Sequence, residues 1–238
     1  MNREYSVVQT GDLGNNVQIA EFCVIRPGVV IGNDVTIHPN VVIESGVVIG
    51  DGVEIFPGAY LGKKPKPAGN VSRPINYALE IIIGSGCVVG PYSIIYYDVR
   101  IGDNTLIGDA VSIRELCRIG TRCVLGRHIT INYSTIIGNG VKIMDHAWLA
   151  GNMTVEDGAF ISGGVMTAND NSIGVSHYSE QMIGPHIGPG AKIGVGSILL
   201  PGIMIGGGAT IAAGSVVTKD VDVGDLVMGM PAKPAKKQ

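Results

Sequence analysis

The sequence predicts an all-β solenoid, a parallel β-helix of triangular coils, on three observations. Aliphatic residues recur every six positions, a small or β-branched residue follows each of them four places later, and 36 glycines accompany a 45% apolar composition with only 5% aromatic residues. A core without large aromatic fillers is narrow and built from small and β-branched side chains. A period of six with two inward positions is one short strand plus a turn. Three such units close a coil of eighteen residues, and stacked coils bury each other's apolar faces as parallel sheets.

The elements follow in order. Residues 1–16 are expected to form an irregular N-terminal cap. A first aliphatic run then goes from Ile19 through Ile25, Ile31, Ile37, Ile43, Ile49 and Ile55 to Leu61, a second from Ile83 to Ile161, and a third from Ile187 to Val223. The solenoid spans 17–228, about 31 hexads by this repeat count, and 229–238 forms a C-terminal cap. Two insertions interrupt the count: 63–80, rich in Pro, Lys and Asn, and 174–186. Loops thrown out of a rigid scaffold are where binding concentrates. All four cysteines, Cys23, Cys87, Cys117 and Cys123, fall in the small-residue slot and read as buried fillers; their spacing matches no zinc pattern. Glycines such as Gly32, Gly50, Gly84 and Gly102 follow the aliphatic, where a turning backbone is expected to benefit from having no Cβ.

The formal net charge of -3 gives no broad electrostatic reason to bind nucleic acid or an anionic membrane. No stretch approaches the ~20 apolar residues that span a bilayer, and the N-terminus lacks the apolar core of a secretory signal. A soluble, cytoplasmic protein without nucleic-acid or membrane partners is the expectation.

Functional positions show where a repeat breaks its own rule. The hexad 167–172 places Thr167 in the aliphatic slot and Asn171 in the small slot. At one corner the usual glycine is replaced on successive coils by Tyr96, Arg114, Asn132, Ala150 and Ala168, followed by Tyr97, Glu115, Tyr133, Gly151 and Asn169, then Asp98, Leu116, Ser134, Asn152 and Asp170. A neighbouring corner stacks Asp109, Arg127 and Asp145, with His128 and His146 beside them. Each column reads equally as a solvated edge or as one side of a site, and in a trimer edges of adjacent subunits would face each other.

The periodicity, the segment LAGNMTVEDGAFISGGVMT (149–167) and the closing IAAGSVVTKDV (211–221) with Gly-Met-Pro-Ala-Lys (229–233) resemble the hexapeptide-repeat acyltransferase superfamily. The resemblance implies a left-handed parallel β-helix with two inserted loops, a homotrimer, and acyl transfer. In the lipid A branch the general-base histidine falls on Tyr133 here and is absent, whereas the glycine whose N–H holds the oxyanion falls on Gly151. The closing coils are similar to those of CoA-dependent members, and the helical domain of the carrier-protein-dependent enzymes does not follow them. This implies acyl-CoA as donor, with Gly163, Ala212, Ala213, Lys219 and Lys233 as its contacts and no metal. The run from Val165 to Asp170 resembles the Thr-Asn-Asp segment of N-acyltransferases of nucleotide-linked amino sugars. That branch implies a dTDP- or UDP-linked amino deoxysugar acceptor, used in cell-surface polysaccharide synthesis, with Asn169 and Asp170 at the amine. A glutamate expected one coil earlier falls on Gly151 and is missing.

The chemistry is consistent with these groups. An amine is intrinsically nucleophilic and the leaving thiolate can take its proton, so no strong base is required. His146 is the candidate if one acts, since imidazole as a side chain suits general-base work near neutral pH. Glu115, Asn132, Tyr133 and Asn152 are candidates for binding the sugar, and Lys64, Lys66 and Arg73 for its diphosphate. Other readings are an O-acyltransferase, a non-catalytic scaffold, and a zinc carbonic anhydrase of the same fold; for the last, His128 and His146 lack a third histidine at a suitable spacing.

Overall fold

The computed structural model describes residues 5–66, 75–173 and 182–235. Every regular element in them is a short β-strand and none is a helix. The strands wind as a left-handed β-helix with three parallel sheets of 11, 9 and 12 strands, here sheets A, B and C. Each coil visits A, B and C in turn, and the three edges of the prism are the AB, BC and CA corners. Strands one coil apart pair directly, as in Val24↔Val42 and Ile25↔Ile43. Pairing continues across both insertions, with Val47↔Ile81 over the first and Thr154↔His186 over the second.

The six-residue period produces this arrangement because the aliphatic and small slots both point inward. Ile25, Ile43, Ile55, Ile95, Ile113 and Ile131 are 0% exposed, as are Val29, Val41 and Val53 in the small slot. Burying one such Ile or Val contributes about 1.5–3 kcal/mol. Where the small slot holds a donor, its hydrogen bond goes to the corner carbonyl of the next coil: Ser93 Oγ to Gly108 O at 2.8 Å, Thr105 Oγ1 to Gly120 O at 2.9 Å, Cys117 Sγ to Asn132 O at 3.1 Å. The four cysteines are free and buried. Burial pushes the Cys117 thiol up to about 12, the behaviour of an inert filler.

Three expectations need amendment. The glycine after the aliphatic is required by close stacking of coils, since a Cβ on Gly120 would lie 2.6 Å from the Gly138 backbone. The left-handed conformation falls instead two residues later, where Asn104, Ser134 and His146 adopt it alongside Gly52 and Gly140. At the N-terminus, Val7–Val8 already pairs with Val24–Ile25 in sheet A, ahead of residue 17. Finally, Asn171 is exposed and fills no inward slot. The chain leaves the coil there, and buried Pro185, two residues before Ile187, takes the vacated place. At the other end Lys233–Pro234 closes sheet C, antiparallel to Leu226–Met228.

Candidate active site

Both insertions leave from the AB corner, the first between Tyr60–Lys63 of sheet A and Ile81–Ile83 of sheet B, the second between Met166–Thr167 and His186–Ile187. The irregular column and both long loops therefore share one edge of the prism.

Thr167, 4% exposed, replaces the aliphatic without leaving a polar group unsatisfied. Its Oγ1 accepts a hydrogen bond from Ala150 N at 2.7 Å, where other coils use a backbone carbonyl, and lies 3.2 Å from Trp148 O. Beyond it, Asn169 is fixed by two acceptors: its Nδ2 donates to Gly151 O and to Tyr133 Oη, both at 3.2 Å. A carbonyl only accepts, so the amide nitrogen must face Gly151, which leaves Oδ1 as the acceptor end of the amide. Asp170 Oδ1 accepts from Ser172 N at 2.7 Å and Ser172 Oγ at 2.5 Å, a turn that starts the second insertion. Asn152 Nδ2 donates to Met182 O at 2.8 Å and Asn152 O accepts from Gly184 N at 3.0 Å, which pins the returning limb. Asn132 Nδ2 donates to Leu149 O at 2.8 Å. The ring of Tyr133 lies on Gly151, where a Cβ would come within 2.6 Å of it, so only glycine permits this contact.

Toward the first insertion the corner becomes basic. Lys63 Nζ and Arg114 Cζ each lie 5.0 Å from the Tyr96 ring centroid. Glu115 was expected to bind substrate, but its side chain is 0% exposed; it holds Arg114 through Nε at 2.9 Å and Nη2 at 3.2 Å. Tyr97 is likewise inside, donating to Ser45 O at 2.7 Å, with Tyr77 stacked on it. Asp98 secures the returning limb by accepting from Ala78 N at 2.9 Å and Arg118 Nη2 at 2.6 Å. Burial acts to raise its carboxyl, but these hydrogen bonds outweigh it and hold it below the usual carboxylate range. Lys64 and Lys66 are exposed on the outgoing limb, and Arg73 lies outside the described residues.

The other candidates occupy the CA corner. His146 is exposed and stacks on His128, ring centroids 5.1 Å apart and 2° from parallel. Gly163, Ala212 and Ala213 lie further along the same corner. Within one chain sheet A separates His146 from Asn169 and Asp170. Lys219 is exposed on the AB corner, and Lys233 is exposed in the closing strand. A concavity of about 970 Å³ lined by Tyr5, Phe22 and His38 sits where the first coil leaves sheet C uncovered, away from these groups. Among the described residues no cluster of three His, Cys, Asp or Glu is placed to hold a metal, and no helix is long and apolar enough to cross a membrane. Sequence reasoning placed Asp98 on this edge but missed Lys63 and Arg118 as parts of it, since each meets its partner only across an insertion or a coil.

The family model described as bacterial transferase hexapeptide (six repeats) matches residues 12–45, 28–63, 80–115 and 184–219, over half of the chain in total. A dTDP-4-amino-4,6-dideoxy-D-glucose acyltransferase of Escherichia coli is 32% identical over 144 residues, which is 57% of this chain and 73% of that protein. The bifunctional protein GlmU of Picosynechococcus sp. is 32% identical over 162 residues, 62% of this chain and 34% of GlmU. Among solved structures, an Arabidopsis UDP-N-acetylglucosamine acyltransferase shares the fold with a TM-score of 0.65 at 19% identity, covering 97% of this chain and 72% of that one. This chain belongs to the bacterial hexapeptide transferase family and is an acyltransferase of it.

Proposed function

We propose that this protein transfers an acyl group from coenzyme A to the amine of a nucleotide-linked amino deoxysugar, of the kind used in cell-surface polysaccharides. The observation that carries the reading is the amide of Asn169, oriented by its Nδ2 bonds to the Gly151 carbonyl and the Tyr133 hydroxyl. Its Oδ1 is an acceptor on a residue of the edge from which both insertions leave, and an acceptor suits an amine's N–H. The similarity to the dTDP-4-amino-sugar acyltransferase supports the same acceptor class.

Apart from Lys63 at the corner end of its strand, the outward positions of sheet A, from Val24 and Val42 through Ile94, Trp148 and Met166 to Ile198 and Val216, carry no charge, whereas sheet B presents Arg100 and Arg118 and sheet C presents Glu54, Lys142 and Lys192. Such a face suits burial against copies of itself. Three chains packed on sheet A would set the CA corner of each beside the AB corner of the next, joining His146, Gly163, Ala212 and Ala213 to Asn169 and Asp170. Lys219 and Lys233 then serve the CoA phosphates, and Lys64, Lys66 and Arg73 the substrate diphosphate. In this groove Asp170 orients the ammonium, which gives up one proton to solvent, the freed amine attacks the thioester carbonyl, and the Gly151 N–H steadies the oxyanion. The C–S bond breaks and the thiolate, or His146, takes the proton.

The test is thiol release from acetyl-CoA with a panel of dTDP-, UDP- and GDP-linked amino sugars, with matching hydroxy sugars as controls. Release with amino sugars alone is expected. Release with hydroxy sugars alone refutes N-acylation, and silence with all of them despite tight CoA binding refutes the acceptor class.

A further inference from the structure

The stack of Lys63, Tyr96 and Arg114 differs from the other charged column of the solenoid. On the CA corner, signs alternate and neutralise one another, with Arg127 Nη2 2.9 Å from Asp145. On the AB corner the two cations share an aromatic ring, and coil order places that ring between them. The nearest carboxylates are already engaged: Glu115 is buried beneath Arg114, and Glu44 accepts from Tyr60 Oη at 2.9 Å and faces Arg26 at 3.9 Å. Lys64 and Lys66 follow with exposed side chains, so positive charge exceeds negative along this edge.

The two cations differ in rigidity. Glu115 engages Nε and Nη2 of Arg114, so the guanidinium plane is fixed by a carboxylate buried in the core, and Nη1 takes part in neither bond. The side chain is 29% exposed. Lys63 brings a point charge to the other side of the ring. A fixed planar fork beside a mobile ammonium suits a ligand with two linked anionic groups, where charge-assisted hydrogen bonds are strongest. A ladder serving only stability would pair each cation with an exposed carboxylate, as the CA corner does.

We propose that Lys63 and Arg114, held on either side of Tyr96, form the subsite for the diphosphate of a nucleotide-linked ligand; the identity of that ligand rests on the acceptor class argued above. The subsite lies on the same edge as Asn169, so a nucleotide sugar laid along the corner places its diphosphate toward the first insertion and its amine toward the second.

Calorimetry of the full-length protein with inorganic pyrophosphate and with dTDP tests this directly. Lys63→Gln leaves the buried Arg114–Glu115 pair intact, and Arg114→Lys keeps the charge while removing the fork. Each is expected to weaken both ligands by about tenfold, more at low salt than at high salt. Wild-type affinity in both variants, or no pyrophosphate binding by the wild type, overturns the subsite. If both variants bind weakly while the enzyme acylates amino sugars that carry no nucleotide, the subsite stands and the nucleotide-sugar reading falls. Transfer to nucleotide sugars with unchanged KM in both variants overturns the subsite alone.

Discussion

The BC and AB corners are made by the same three-residue turn and put their side chains to opposite uses. On the BC corner the second residue of turn after turn accepts from the backbone N–H of its counterpart one coil earlier wherever it is Asn or Asp: Asn33 from Asn15 at 2.9 Å, Asp51 from Asn33 at 2.7 Å, Asp103 from Ser85 at 2.8 Å, and Asp157 from Asn139 at 2.6 Å. The polar side chains there satisfy the exposed N–H groups of their own backbone. On the AB corner the second residues are Tyr97, Glu115, Tyr133, Gly151 and Asn169, and no two of them bond alike. One edge has a repeated solution to a structural problem and emits no loop. The other abandons the repeat and emits both loops, which is what a surface kept for a ligand looks like.

Glycine substitution separates the two corners most sharply. Gly151→Ala forces the Tyr133 ring away and displaces the proposed oxyanion donor, so kcat should fall by ~10²–10³-fold. Gly140→Ala on the BC corner strains a residue at φ +65 with open space around it, and should cost about 1 kcal/mol of stability with activity intact. Equal losses of activity in steady-state assays would erase the distinction.

A smaller but still large effect is expected at Asp170. Asp170→Asn should lower kcat/KM by about 10²-fold, with the circular dichroism spectrum and oligomeric state unchanged. Kinetics within twofold of wild type would remove its role in orienting the amine.

Asp98→Asn should destabilise the protein by about 1.5–3 kcal/mol at neutral pH through the hydrogen bonds of its charged carboxylate. Because the folded carboxyl is held below its unfolded value, its contribution is present above the unfolded pKa and is lost as pH falls toward the lower folded one. Denaturant midpoints of wild type and variant should therefore converge on acidification. A gap that is constant with pH would show that the ion pair with Arg118 is not its source.

Least affected should be Asn139→Ala, which removes the acceptor for Thr121 N and Oγ1 on an exposed ladder. A cost of about 1 kcal/mol with unchanged kinetics is expected. Lost activity would mean that the BC corner also serves the reaction.

The inward half of the structure was legible in the sequence because period and burial coincide: Ile19 to Leu61 and Ile83 to Ile161 point inward as the count requires. The broken hexad and the polar column at Asn169 were legible for the same reason, as departures from a strict rule. The role of glycine was misread because a missing Cβ has two explanations, and only the 2.6 Å approach of the next coil distinguishes stacking from turning. Glu115 was placed outside because its column neighbours are polar; its side chain is instead buried and paired with Arg114. The meeting of Lys63 with Tyr96 was hidden by the first insertion, which separates in sequence what adjacent coils bring together.

Pairing across that insertion, Val47 to Ile81, has the same geometry as pairing across an uninterrupted coil, Val30 to Val48. The core does not register that a loop has been spliced in. Either loop can therefore lengthen, shorten or change composition while the column of isoleucines stays under its own, separate selection. A lineage built on this scaffold can exchange one acceptor for another without passing through an unfolded ancestor, and a loop transplanted between two relatives at the AB corner should carry its preference with it.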